Sequence, residues 1–245
     1  MLRAYPDIDT AWARLATYLG ERFQPELTDF ETLRRYLDRE WRQLTPRFYE
    51  HSIGYLYDLT HFHYMGIKDG FFAFLLQFAD ERGITELADI GCGIGLDAQA
   101  LLQAGYDVHG YDLDNPSLNY ARWRFAHDLD ANSTLHPIDQ LTGRRHRLAY
   151  AIDVLGHTDD PERLAKTMFT TADYVCLNLG THDPRHRHGS QDLHPGLDHQ
   201  RILAELTLHG DLIRLGTTGQ NVVTLWRSRC PAPPNSTGSC TRMAS

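Results

Sequence analysis

The stretch that most constrains this chain is ELADIGCGIGLDAQALLQAGYDVHGYDLD, from Glu86 to Asp114. A short apolar run, Leu87 to Ile90, carries Asp89 near its end. Glycines follow at alternate positions, Gly91, Gly93 and Gly95. A helical pattern then runs from Leu96 to Ala104 and stops at Gly105, and a second short run, Val108 to Leu113, carries Asp112. Strand, glycine turn, helix and a strand with an acidic tip make a nucleotide-binding βαβ unit.

Each part has a physical reason. Glycine lacks a Cβ, so the backbone turns sharply and comes close to a ligand. The following helix offers free backbone N–H groups and the positive end of its dipole. A carboxylate at the next strand tip suits the two hydroxyls of a ribose. A dinucleotide fingerprint would place its third glycine at position 96, which is Leu, while position 95 is Gly. Asp89 before the turn would repel a pyrophosphate and suit a cation. A ligand with a ribose, a positive centre and an ammonium group fits these details: S-adenosylmethionine.

At this point the sequence resembles the class I S-adenosylmethionine-dependent methyltransferases. The resemblance rests on Asp89 to Gly95, on Gly110 to Asp114, and on DVLGHTDDP from Asp153 to Pro161, which looks like that superfamily's fourth-strand motif. Together these cover roughly Phe71 to Ser228. The family often has Glu before the His of this last motif, where this chain has Gly156. The resemblance implies an α/β Rossmann-like three-layer sandwich. Its sheet is mostly parallel and seven-stranded, with a C-terminal antiparallel hairpin and an N-terminal helical cap. It also implies that Gly91, Cys92, Gly93 and Gly95 approach the amino-acid part of the cofactor, that Asp89 attracts its ammonium group directly or through water, and that Asp112 and Leu113 meet the ribose. Asp139 would then meet the adenine, and Asp153, Val154 and Leu155 would flank the methionine part.

With 245 residues, one α/β domain plus an appendage is expected. The expected division is a helical cap over 1–70, a cofactor-binding domain over 71–229 and a Pro/Ser/Thr-rich disordered tail over 230–245. A net charge of −8 argues against a nucleic-acid partner and favours a small-molecule substrate. No apolar run is long enough to span a bilayer, and the N-terminus lacks a signal peptide's apolar core. Cys92, Cys176, Cys230 and Cys240 have no metal-ligand spacing, which suits a reducing, cytoplasmic setting.

Helical stripes are expected over Ile8 to Phe23 and from Phe30 to Leu44, broken by Pro46. Phe71 to Phe78 reads as a buried helix ending at Gly83. Between these lies Tyr49 to Tyr64, dense in Tyr and His. Related enzymes use the segment before the first strand to cover the cofactor, so Tyr49, Tyr57, His61, His63 and Tyr64 are the expected substrate contacts. Half-buried packing with a polar tip in water is the alternative. Ser133 to Ile138 and Leu148 to Leu155 are expected as the third and fourth strands, and Asp211 to Gly216 with Asn221 to Trp226 as the final pair. A polar loop rich in His and Arg, Gly180 to Gln200, falls at the ligand end of the sheet.

A hydroxyl or ammonium acceptor needs a proton removed, and His titrates in the right range. His157 is the first candidate base; structural packing is its alternative. His182 and Tyr55 are the other catalytic candidates. His61 with His63, and His186 with His188, have a spacing that could suit a metal, but Arg185 and Arg187 would repel a cation, and no metal is expected. The expected activity is methyl transfer from S-adenosylmethionine to a metabolite or natural-product acceptor. A second reading keeps the cofactor but cleaves or cyclises it, releasing methylthioadenosine under an aromatic lid. A third is a binding module without turnover.

Overall fold

The computed structural model describes residues 7–129, 134–180, 197–218 and 221–230. Among the described residues, five α-helices precede the first strand. Helix α1 (Ile8–Leu19) starts where the Asp7 carboxylate accepts the Thr10 N–H at 2.8 Å, and it turns Leu15 and Leu19 inward. It stops at Gly20, whose φ is +56°. Helix α2 (Phe30–Leu44) is capped in the same way by Asp29 and buries Leu33 and Leu37. Helix α3 (Phe48–His51) and helix α4 (Gly54–Tyr64) divide the aromatic stretch that follows.

Ile53, the residue before helix α4, makes no side-chain cap, but the Ser52 hydroxyl accepts the Tyr55 N–H at 2.9 Å. Glu40 of α2 backs this cap: its carboxylate accepts from the Ser52 hydroxyl at 2.5 Å and the Ile53 N–H at 3.2 Å. The two helices meet so closely that a Cβ on Gly54 would lie 2.6 Å from Glu40. Helix α5 (Asp69–Arg82) begins two residues before Phe71 and ends on Gly83 in the left-handed conformation, φ +60°.

The α/β part runs β1 (Glu86–Ile90), α6 (Leu96–Gln103), β2 (Asp107–Asp112), α7 (Pro116–Asp128), β3 (Leu135–Pro137), β4 (His146–Ala151) and α8 (Pro161–Thr171). It continues with β5 (Ala172–Gly180), α9 (His199–His209), β6 (Gly210–Thr218) and β7 (Asn221–Ser228). The sheet is seven-stranded, in the order β3-β2-β1-β4-β5-β7-β6. Neighbours pair in parallel as far as β5, and β7 then pairs antiparallel with both β5 and β6. This is the expected mostly parallel Rossmann-like sheet with its terminal hairpin.

Alternation along the strands builds the layers. Leu87, Val108, Leu148 and Cys176 point to one face, where Phe71, Leu75 and Phe78 of α5, Leu101 of α6 and Phe125 of α7 cover them. Ala88, Tyr111, Ala149 and Val175 point to the other, under Met168 and Phe169 of α8 and Ile202 and Leu206 of α9. A third apolar cluster joins α1, α2, α3 and α4 through Leu15, Leu33, Phe48 and Leu56 to Ile94, Leu96 and Tyr120 of the α/β part. Among the described residues no helix is long and apolar enough to cross a membrane.

Two strands are shorter than expected. The third covers only Leu135–Pro137, because Pro137 has no N–H for the ladder and the chain then coils through a 3-10 turn, Ile138–Gly143. Asp139 therefore sits on that turn. The fourth ends at Ala151 instead of Leu155, because Asp153 takes φ +58° and breaks the extended backbone. The first helix ends at Leu19, with Gly20–Arg22 in a 3-10 turn. Residues 181–196 of the polar loop, with His182, His186 and His188, lie outside the described residues, as does 231–245 of the tail.

Candidate functional site

The glycine turn is built from backbone geometry. Gly91, Gly93 and Gly95 have φ of +74°, +55° and +71°, values that side chains with a Cβ rarely adopt. The N–H groups of Gly91 and Cys92 both donate to the Tyr111 carbonyl, at 2.7 and 3.1 Å, which folds the turn onto β2. Space is as tight as conformation: a Cβ on Gly91 would strike the side chain of Val154. At the tip of β2, Asp112 accepts from the Gly93 N–H at 2.6 Å and, with its other oxygen, from the Leu113 N–H at 2.7 Å. Burial pushes its carboxyl up to about 6, against the pull of those two N–H groups. Each oxygen still has a lone pair for a hydroxyl donor.

A cavity of about 860 Å³ opens above this turn. One end is formed by Gly91, Cys92, Gly93, Asp112 and Leu113, with Ile138, Asp139 and Leu141 beside them. The other end is formed by Tyr49, Tyr55 and Asp58 of the helical part and by Asp153, Val154 and His157 beyond β4. Asn115 lines the cavity between them and ties the two parts together. Its carbonyl accepts the Leu118 N–H at 2.9 Å, capping α7, while its amide nitrogen donates to the Tyr49 carbonyl at 3.0 Å.

At the second end the side chains hold one another. The Tyr49 hydroxyl is 2.5 Å from Nδ1 of His157, and Nε2 of His157 is 3.6 Å from Oδ2 of Asp153. Burial, with the charges of Asp153 and Asp58, pushes the Tyr49 phenol far up, so its proton stays on and Nδ1 is the acceptor. Nε2–H then faces Asp153. Tyr49 packs edge-on to Tyr55 with 5.1 Å between ring centroids. Asp153 is held in its left-handed conformation by a 2.6 Å hydrogen bond from its N–H to the Asn178 side-chain oxygen. A non-glycine residue held so at a strand tip marks a position where side-chain chemistry outweighs backbone cost.

Helix α4 presents two faces. Tyr55, Asp58, Leu59, Phe62 and His63 face the cavity. Tyr57, His61 and Tyr64, also expected as substrate contacts, follow one another at helical spacing and fall on the side of the helix away from this cavity. The Tyr57 hydroxyl accepts the Gln24 N–H at 2.9 Å within the helical core. His61 packs between Trp12 and Phe30. The Tyr64 hydroxyl donates to the Asp7 carbonyl at 3.3 Å.

Three expected cofactor contacts also lie off the cavity wall. Gly95 is the left-handed residue that opens α6, where an added Cβ would lie 3.1 Å from Ala121 and Phe125. Leu155 is buried under α8. Asp89 lies beneath the turn, 4% exposed, with no hydrogen-bond partner for its Oδ2. Burial and then the charge of Asp97 push its carboxyl up to about 8, so it is a neutral acid at neutral pH and not the expected anion.

The anion on that side is Asp97, in the first turn of α6, where it pairs with Lys68 and, at 3.1 Å, with Nδ1 of His63. Burial opposes its charge, but Lys68 and His63 outweigh it and hold the carboxyl well below the usual range. No separate site role was legible in the sequence for Asp97, Lys68 or Asn115, while Asp58 falls within the Tyr49 to Tyr64 stretch expected to meet the substrate.

The residues fit S-adenosylmethionine. The cradle is one that a Cβ would fill, a carboxylate at the β2 tip can accept from ribose hydroxyls, and an apolar edge lies beside Asp139. Comparison with known proteins points the same way. Residues 33–186 match the model of a methyltransferase domain family. The ubiquinone biosynthesis O-methyltransferase of Bordetella avium (strain 197N) is 31% identical over 85 residues, which span 32% of this chain and 34% of that protein. The match thus takes in about a third of that relative's length.

Two solved structures share the fold. A magnesium protoporphyrin IX methyltransferase from Synechocystis PCC 6803, determined with bound SAH, has a TM-score of 0.52 at 18% identity, over 82% of this chain and 100% of that one. A protein of Pyrococcus horikoshii OT3 has a TM-score of 0.53 at 13% identity, over 68% and 92%. At these identities the likeness is one of fold.

Proposed function

Because this chain belongs to the family of methyltransferase domains, we propose that it transfers the methyl group of S-adenosylmethionine to a small-molecule acceptor. The observation that carries the proposal is the single cavity that joins the glycine turn and Asp112 to a second polar end made of Tyr49, Asp153 and His157. One end suits a nucleoside, and the other has room and chemistry for a second reactant. When bound, the cofactor supplies an electrophilic methyl carbon and a neutral thioether leaving group.

In this reading the chain's own residues do five things. The backbone of Gly91, Cys92 and Gly93 receives the amino-acid part of the cofactor, and Asp112 accepts from the ribose hydroxyls. Leu113, Ile138 and Leu141 offer an apolar slot for the adenine, with Asp139 at its polar edge. Asp153 and Val154 border the methionine part. The helices of residues 1–70 act as a cap over a 71–229 domain and exclude water from the cavity, which strengthens every polar contact inside.

His157 takes the acceptor's proton. Tyr49 sits at the cavity with its hydroxyl on Nδ1, so an acceptor proton passes to the Tyr49 oxygen as the phenolic proton moves to His157. Asp153 then stabilises the imidazolium. Such a pair gives a proton acceptor to a site whose phenol alone holds its proton too firmly.

The test is incubation of the purified protein with S-adenosylmethionine, with and without candidate acceptors, and mass spectrometry of the products. S-adenosylhomocysteine formed only with an acceptor is the expected result. Methylthioadenosine released from the cofactor alone would overturn methyl transfer in favour of cofactor cleavage. No binding of S-adenosylmethionine by calorimetry would overturn both.

A further inference from the structure

Most carboxylates around the cavity are already engaged. Asp97 has Lys68, Asp112 has two backbone N–H groups, and Glu50 has Arg47 at 2.6 Å. Asp58 is different. Its side chain is half-buried, it lines the cavity, and among the described residues it has neither a hydrogen bond nor an ion pair. A half-buried carboxylate has lost part of its water shell, so one that faces a ligand cavity without a protein partner is placed to pair with the ligand that fills the cavity.

The surroundings state what that partner is. Tyr55 precedes Asp58 by one helical turn on the same face, and Tyr49 packs edge-on to Tyr55. Two phenol rings beside a carboxylate suit a cation: the ring faces are negative, and the carboxylate supplies the counter-charge. A neutral hydroxyl would leave the charge of Asp58 uncompensated, and a carboxylate ligand would be repelled by Asp58 and Asp153 together.

The location separates this partner from the cofactor. The charges that act on Asp58 are those of His157 and Asp153 beyond β4, whereas Lys68 and Asp97 stand at the glycine-turn side. Burial raises the Asp58 carboxyl to about 6, with His157 pulling it down and Asp153 pushing it up. It is therefore mostly ionised at neutral pH.

Resting on the methyltransferase reading, we infer that the acceptor is an aliphatic amine whose ammonium group is held by Asp58 between Tyr49 and Tyr55. One ammonium proton passes through the Tyr49 hydroxyl to His157. The freed nitrogen lone pair forms the N–C bond to the methyl carbon, and the C–S bond breaks with its electron pair left on sulfur. The products are the N-methylammonium, still paired with Asp58, S-adenosylhomocysteine and a protonated His157.

The test uses the full chain with S-adenosylhomocysteine present and three fragments of one shape, benzylamine, benzyl alcohol and benzoate, followed by ligand-observed NMR. Benzylamine is expected to bind in preference to the other two, and Asp58→Asn to weaken it on the order of thirtyfold or more. The affinity of that variant for S-adenosylhomocysteine by calorimetry is expected to hold within about threefold, well under the cost of a lost charge pair.

A second measurement needs no variant. Between pH 5 and 7, around the Asp58 value of about 6, benzylamine stays protonated while the carboxyl ionises, so wild-type affinity should rise with pH. The other titrating groups that face Asp58 are Tyr55 on its own helix, Tyr49 of α3, and Asp153 and His157 beyond β4. Equal binding of benzylamine to wild type and variant, preference for benzoate, a flat pH response, or no benzylamine binding at about 10 mM would each overturn the inference. If wild type binds no S-adenosylhomocysteine, the methyltransferase reading falls instead.

Discussion

The two ends of the cavity are made of different material. The floor, from Gly91 to Leu113, is held by main-chain groups: three glycines at positive φ, two N–H groups on the Tyr111 carbonyl and two on Asp112. The roof and the β4 tip are held by side chains from distant parts of the sequence, with Tyr49 and His157 separated by 108 positions. A floor of this kind recognises a ligand by shape and cannot be retuned one residue at a time. A roof of this kind can change its acceptor by single substitutions while the cofactor end stays as it is.

Four experiments would break or sharpen that contrast. The largest effect is expected at the roof: His157→Gln should lower turnover by about 10²–10⁴-fold while leaving cofactor affinity unchanged, read by steady-state kinetics beside calorimetry. Parallel loss of both would show that the two ends do not divide the work. At the floor, Gly91→Ala combines a left-handed backbone cost of ~1–2 kcal/mol with overpacking against Val154 of ~1–3 kcal/mol. Cofactor binding should weaken about a hundredfold. Ordinary affinity in this variant would show that the turn is not the cradle.

A smaller effect is expected for Asp89. Its folded-state value of about 8 lies above the ordinary 3.8, so the folded chain keeps a proton that the unfolded chain has released. That contribution to stability is full below about 4 and is lost as pH rises through 8. Asp89→Asn should therefore gain on wild type in urea unfolding by about 2 kcal/mol between pH 6 and 8. A constant difference across that range would show that Asp89 is ionised in the fold. The smallest is Glu40→Gln, which weakens the cap of α4 and should cost about 1 kcal/mol of stability, read as a lower midpoint in denaturant.

The same contrast explains what the sequence revealed. Positive φ is a property of the residue itself, so Gly91, Gly93 and Gly95 announced the turn, and Asp112 followed by its distance from them. The apolar runs located the strands, and the family resemblance implied the mostly parallel sheet with its terminal hairpin. The roof was harder. Tyr and His occupy both faces of α4, so periodicity could not say that Tyr55 and Asp58 look into the cavity while Tyr57, His61 and Tyr64 do not. That choice is made by Trp12, Phe23 and Phe30 packing on the far face, across the fold of the chain. Asp89 carried a motif position but no sign of its burial, which is what removes its charge. Asp97 gave no sign of Lys68, because the two are 29 positions apart and meet only when α5 docks beside α6.

Asn115 gives the molecule a joint that can be unpinned by a single atom. Its oxygen serves α7 and its nitrogen serves the roof, so Asn115→Asp keeps the helix cap, removes the donor to the Tyr49 carbonyl and sets a second carboxylate beside Asp112. In hydrogen exchange, α3 and α4 of that variant should open more often while the sheet exchanges as before. Traffic through the cavity and the integrity of the fold would then be two separately adjustable quantities.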